Sequence, residues 1–170
     1  MIKPTNRFVL NEAIGAQAFK ELLEHNGNTI DYEFATDQYS AYDVYIKKIN
    51  AKGQLKHYFV ELKHRNADYS SFILEHKKLQ GMRKQAVKDL DVSLEDCVFI
   101  YINFAKTCTV SWNITNVDRE ITVKQGFFNK ATSTNVTEKK EKDVYYLPVT
   151  SGSVSNYVLD RDKIIETLYN

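Results

Sequence analysis

The chain has 170 residues, 43% hydrophobic and 26% charged, with 6 glycines and 2 prolines. That composition excludes collagen-like and low-complexity chains and predicts one folded domain over residues 1–170. The formal net charge of +1 excludes a uniformly polycationic or polyanionic molecule, so any charged face must be local. No apolar run approaches the roughly 18 to 20 residues that span a bilayer, and the start from Met1 to Arg7 leads into no signal-peptide core. The expected setting is the cytoplasm, with no membrane partner.

Glu12 to Glu24 reads as an amphipathic helix, with Ile14, Ala18 and Leu22 in one stripe and Ala16, Phe19 and Leu23 beside it. Asn26-Gly27-Asn28 ends it, Gly27 supplying a left-handed cap. After a polar stretch, Tyr42 to Ile49 turns strand-like, Asn50 to Gln54 is a turn, and Leu55 to Lys63 is a second strand, which predicts a β-hairpin. A second helix is expected from Ser70-Ser71 to Lys88 with Phe72, Leu79, Met82 and Ala86 buried. Gly81 inside it costs about 1 kcal/mol relative to alanine and threatens its continuity.

Cys97 to Phe104 is the most continuously apolar run, as in a central strand buried on both faces. Thr107 to Thr115 returns as a strand carrying the only tryptophan, Trp112. Residues 129–143 are polar and rich in Lys, Thr and Glu, and read as an exposed loop not tied to one conformation. Val144 to Val149 is a short strand in which Pro148 marks an edge or an end. Asp160 to Tyr169 closes the chain as a helix with Ile164, Ile165 and Leu168 inward. The class is mixed α/β, a central mixed sheet flanked by helices. Cys97 and Cys108, each among β-branched or aromatic residues, read as buried reduced thiols; an all-cysteine zinc cluster is excluded.

The hairpin carries the chemistry. If Ile49 pairs with Leu55, then Lys47 meets His57, Tyr45 meets Phe59, and Asp43 falls opposite Glu61. Alternation puts Asp43, Tyr45, Lys47, His57, Phe59, Glu61 and Lys63 on one face, and Val44, Ile46, Tyr58, Val60 and Leu62 on the other, the expected core face. Two carboxylates at cross-strand distance repel unless a cation lies between them. A divalent metal supplies that cation, held by Asp43, Glu61 and the Leu62 carbonyl. Lys63, on the same side, is placed to stabilise charge building on phosphorus during hydrolysis of a phosphodiester.

A local excess of positive charge follows directly. Lys63, Arg65, Lys77, Lys78, Arg83, Lys84 and Lys88 face only Asp68 and Glu75, which suits a phosphate-binding or nucleic-acid-binding face, or else a solvated lysine-rich helix.

Asp43, followed downstream by Glu61-Leu62-Lys63 on a hydrophobic strand, resembles the signature of the PD-(D/E)XK nuclease superfamily. Tyr42 stands where the name has proline. The resemblance covers about the first hundred residues and implies a restriction endonuclease-like core of order αβββαβ. It also implies Mg²⁺ or Mn²⁺ as cofactor and DNA as partner, and it admits a homodimer. Members of the family cut DNA, some as Holliday junction resolvases or restriction enzymes, some in phages and mobile elements. On this resemblance the catalytic residues are Asp43, Glu61 and Lys63, with Glu12 as the first-helix acid; Arg65, Lys77, Lys78 and Arg83 line the phosphate backbone.

Other chemistry has less support. His57, His64 and His76 are placed to assist proton transfer or to touch a phosphate, but like His25 read better as surface histidines. There is no zinc-protease helix, phosphate-binding glycine loop or nucleophile elbow. Some of the 11 tyrosines and 9 phenylalanines are candidate base-stacking platforms, though most should serve the core. The rival class is a non-catalytic nucleic-acid-binding or structural protein with the same fold, and a third reading is the cutting subunit of a larger assembly.

Overall fold

The computed structural model describes residues 7–27, 30–35, 40–65, 67–129 and 139–169. Helix α1 (Arg7–His25) buries Ile14, Ala18, Phe19 and Leu22. That is the predicted stripe, and each large side chain in it contributes about 1.5–3 kcal/mol. Gly27 follows at φ 65°, the left-handed conformation expected at a helix end. β1 (Tyr32–Phe34) adds to the outer edge of β2 (Val44–Ile49).

β2 and β3 (Leu55–His64) form the predicted hairpin, with Ile49 opposite Leu55, Lys47 opposite His57 and Tyr45 opposite Phe59. Asn50 builds the turn: its Oδ1 accepts from the backbone N–H groups of Lys52 (2.9 Å) and Gln54 (3.0 Å), and Gly53 takes φ 76°. Polar side chains that bond their own backbone are what make such turns.

β3 next pairs in parallel with β5 (Cys97–Phe104), which pairs antiparallel with β6 (Thr109–Asn113) and so with β9 (Ser153–Ser155). The six-stranded sheet has the order β1-β2-β3-β5-β6-β9. Parallel neighbours need a long crossover, and here it contains β4 (Ser71–Glu75) and α2 (His76–Leu90). The second helix therefore starts at His76, not at Ser70-Ser71, and Phe72 is buried from a strand. Leu79, Met82 and Ala86 are buried as expected. α2 runs unbroken through Gly81, where a Cβ would stand 3.1 Å from the Ala41 Cβ, so the missing side chain lets the helix lie close.

The expected loop at 129–143 is corrected at both ends. β7 (Lys124–Asn129) and β8 (Lys139–Pro148) pair antiparallel, Asn129 opposite Lys139, and residues 130–138 lie outside the described residues. β8 also pairs with β4, giving a second sheet of order β4-β8-β7. Pro148 ends its strand, as predicted. A short helix, α3 (Val117–Glu120), follows β6, and α4 (Arg161–Tyr169) buries Ile164.

The large sheet has a core on each side. Val44, Ile46, Val60 and Ile102 pack against α1 and α4. Tyr45, Phe59, Phe99 and Tyr101 pack against Leu79 and Met82 of α2 and against Phe72, Leu74, Tyr145 and Leu147 of the second sheet. The hairpin face expected to be polar is therefore covered as well, because α2 and the second sheet return over it. The result is the expected class, a mixed α/β fold with a central mixed sheet flanked by helices. The helix, three-strand, helix, strand order is kept, with β4 interposed. Both cysteines are free; Cys97 is buried, its thiol pushed up to about 11 by burial and Asp96, while Cys108 is only half-buried. No helix among the described residues is long and apolar enough to cross a membrane.

Candidate active site

The β2–β3 ladder stops at Val44 opposite Val60. One residue further out, the Asp43 N–H donates to the Val60 carbonyl at 2.8 Å, and its Oδ2 accepts from the Leu62 N–H at 2.6 Å. The aspartate is thus tied to β3 on either side of Glu61. Burial, then the charge of Glu61, raises the Asp43 pKa to about 7 against the opposing pull of Lys63 and Lys78.

Glu61 is 0% exposed. Lys63 Nζ lies 2.6 Å from its Oε1 and Lys78 Nζ lies 2.6 Å from its Oε2. Burial pushes this carboxyl up, but the two ammonium groups outweigh that and hold it below the ordinary glutamate value. Burial alone would lower the Lys63 pKa; Glu61 and Asp43 reverse the sign and keep it charged. Both ion pairs are close but poorly angled, so neither Glu61 oxygen has a properly directed hydrogen bond. Close ammonium groups lower the pKa by charge even where the angle fails, so the charge balance is the firmer description.

Such oxygens retain lone pairs for a cation, and the neighbouring Asp43 is a second acid short of positive charge. The pair thus suits a divalent ion with oxygen ligands, with the remaining positions left to water or phosphate. Among the described residues no group of three His, Cys, Asp or Glu side chains converges, so the protein's own acids number two here.

The site opens into a cavity of about 670 Å³ between β3 and the second sheet, lined by Glu61, Lys63 and Lys78 and also by Arg65, Lys139 and Lys142. Asp43 does not line it. Two residues of β5 extend the site beyond what the sequence indicated. Tyr101, in register with Glu61, donates to the Ile73 carbonyl at 2.8 Å and ties β4 to the large sheet. Asn103, in register with Lys63, is buried with both amide atoms lacking a directed partner. Their only signal was membership of the apolar run, where an asparagine is out of place.

Several expected participants stand elsewhere. Glu12 is exposed on α1; burial is the only cause that raises its carboxyl, with nothing from Asp43 or Glu61. α1 packs on the opposite face of the sheet from Tyr101, so the first-helix acid is not part of this cluster. Leu62, whose carbonyl was the expected third metal ligand, binds Asp43 through its N–H. Lys78 pairs with Glu61 as Lys63 does and lines the same cavity. Arg83 is spent on both oxygens of Asp118, each at 3.0 Å, and on the Thr115 carbonyl at 2.7 Å, which leaves it no free cation for the expected phosphate contact. Lys77 is exposed on α2 and Arg65 lines the cavity. His57 bonds the Tyr45 hydroxyl at 2.6 Å, His25 bonds Asn156 at 2.7 Å, and His76 meets Gln80 at 3.1 Å. Burial, then Arg161 and Arg65, lower the pKa of half-buried His64.

Searches against family models and against curated proteins returned no match. Among solved structures the chain is similar to Hjc of Archaeoglobus fulgidus, a Holliday junction resolvase from an archaeal hyperthermophile. The two are 12% identical, with 79% of this chain and 93% of that one covered and a TM-score of 0.40.

Proposed function

We propose that this chain is a metal-dependent deoxyribonuclease of PD-(D/E)XK type, hydrolysing DNA phosphodiesters at Asp43, Glu61 and Lys63 in a single domain. The observation that carries the reading is Glu61, a fully buried carboxylate gripped by Lys63 and Lys78 beside an aspartate tied to the same strand. Asp43 and Glu61 would hold Mg²⁺ or Mn²⁺, which when bound supplies Lewis-acid polarisation of the phosphate and a low-pKa water. Glu61, kept ionised by its lysines, is ready to bind at neutral pH. Asp43 has to give up its proton first. Lys63 sets an ammonium at the cavity wall, where it can donate to a phosphate oxygen and offset charge on phosphorus. Buried Tyr101, braced on β4, helps to exclude water behind Glu61.

The two ion pairs also support a second reading, a nucleic-acid-binding protein without turnover in which the lysines permanently neutralise Glu61. Metal separates the two. Plasmid, linear, branched and single-stranded DNA are incubated with and without Mg²⁺ or Mn²⁺, for the native chain and for Asp43→Ala, Glu61→Ala and Lys63→Ala. Cleavage only with metal, falling by about a hundredfold or more in each variant, is expected. Cleavage that survives all three substitutions moves the chemistry elsewhere, and binding without cleavage supports the second reading.

A further inference from the structure

We infer that the cleft beside Glu61 is built to hold unpaired nucleotides, so that the substrate is DNA with a single-stranded stretch next to the scissile phosphate. The inference rests on the nuclease reading for the cut, and on separate observations for the platform. Phe127 is 71% exposed and Tyr69 is 53% exposed, and both line the cavity that Glu61 closes. Exposed apolar side chains are common singly; what sets these two apart is that both rings line one charged cleft.

Phe128, also on the lining, is held in a defined pose. A Cβ at Gly126 would come within 2.8 Å of its ring, so the glycine lets the ring lie flat along β7. Arg65, Lys139 and Lys142 supply positive charge around the same cavity. Lys142 keeps one partner, Glu75 at 2.6 Å.

Charge complementarity fixes the occupant as a polyanion, and the rings fix which kind. A base can stack on a side chain only when its face is free, and in a paired duplex neighbouring base pairs cover those faces. A cavity of about 670 Å³ is in the range of small-ligand pockets, suited to a few splayed nucleotides rather than a duplex. This places DNA contact on the second sheet, away from the α2 surface where Arg83 is already bound to Asp118.

The test measures binding apart from cutting. Fluorescein-labelled oligothymidylate, a matched duplex and a matched oligouridylate are titrated in EDTA against the native chain, Phe127→Ala, Tyr69→Ala and Tyr169→Ala. The last removes an exposed ring from α4 in the other layer. Oligothymidylate should bind more tightly than duplex, and the first two variants should lose roughly five- to hundredfold in affinity, with Tyr169→Ala unchanged. Unchanged affinity in Phe127→Ala and Tyr69→Ala with retained circular dichroism, a preference for duplex, or a preference for oligouridylate would each overturn the inference. Metal-dependent plasmid nicking is assayed in parallel. Nicking that persists while the rings prove neutral overturns the platform alone; ring-dependent binding without cutting of any DNA overturns the nuclease reading and leaves the platform standing.

Discussion

Asp43 is the residue whose proton is most informative. Its folded pKa of about 7 lies above the ordinary aspartate value of about 3.9, so between those two pH values the folded chain holds more protons than the unfolded one. Stability therefore falls as pH rises from about 4 to about 7, and the loss is complete above that. Asp43→Asn, which keeps an oxygen for the Leu62 N–H, removes the penalty. In EDTA the variant should be more stable than the native chain by about 1–3 kcal/mol at pH 8, with the gain disappearing toward pH 4. Thermal melts across that range check it, and a gain independent of pH would contradict the assigned cause. The hairpin residues were legible because alternation and the Asn50 turn leave one register that keeps Val44, Ile46 and Val60 out of water. The state of Glu61 was not, since its counter-ion Lys78 meets it only because the crossover between β3 and β5 folds α2 back over this face of the sheet.

At the scale of elements, the misplaced start of α2 shows how local signals mislead. Ser70-Ser71 resembles a cap and Phe72 continues the Leu79, Met82, Ala86 stripe at helical spacing, yet pairing with β8 draws residues 71–75 into a strand. Strand partners supplied by distant chain outweigh a weak propensity. β7 and the start of β8 were hidden because their polar residues give little alternation. Two contacts between elements make predictions. A Cβ at Gly152 would lie 2.6 Å from Val110 Cγ1 and 2.8 Å from Trp112 Nε1, and Trp112 donates to the Pro148 carbonyl at 2.9 Å. Gly152→Ala should cost about 1–3 kcal/mol, read by urea unfolding, with a changed near-ultraviolet tryptophan signal. Arg83→Ala breaks the bidentate pair that ties α2 to α3. It should lower stability by about 1 kcal/mol and leave affinity for DNA within twofold; a large loss of affinity would return Arg83 to the interface.

Across the whole molecule, a near-neutral chain gathers Lys63, Arg65, Lys78, Lys139 and Lys142 around one cleft, so on the proposed reading salt should report on that cleft. Each lysine that meets a phosphate contributes about 0.7 to the slope of log affinity against log salt for single strands. Lys139→Ala should reduce the slope by about that much, whereas Lys48→Ala, on the hairpin arm beyond the large sheet's core, should leave it unchanged. Fluorescence anisotropy at several salt concentrations measures both. The α/β class, the hairpin and the central strand were readable because each satisfies its own periodicity. The second sheet was not, since β4 finds its partner only in β8, well downstream and beyond α2, β5 and β6.

The parallel pairing of β3 with β5 bears on when the acid centre comes into being. A nascent chain that has completed its first hairpin still lacks the helix carrying Lys78 and the strand carrying Tyr101, and those arrive only when a long loop closes. Until then Glu61 stands in water as an ordinary glutamate. Assembly of the acid centre is thereby tied to a long-range closure rather than to the local hairpin, and a chain cut short before β5 cannot build it.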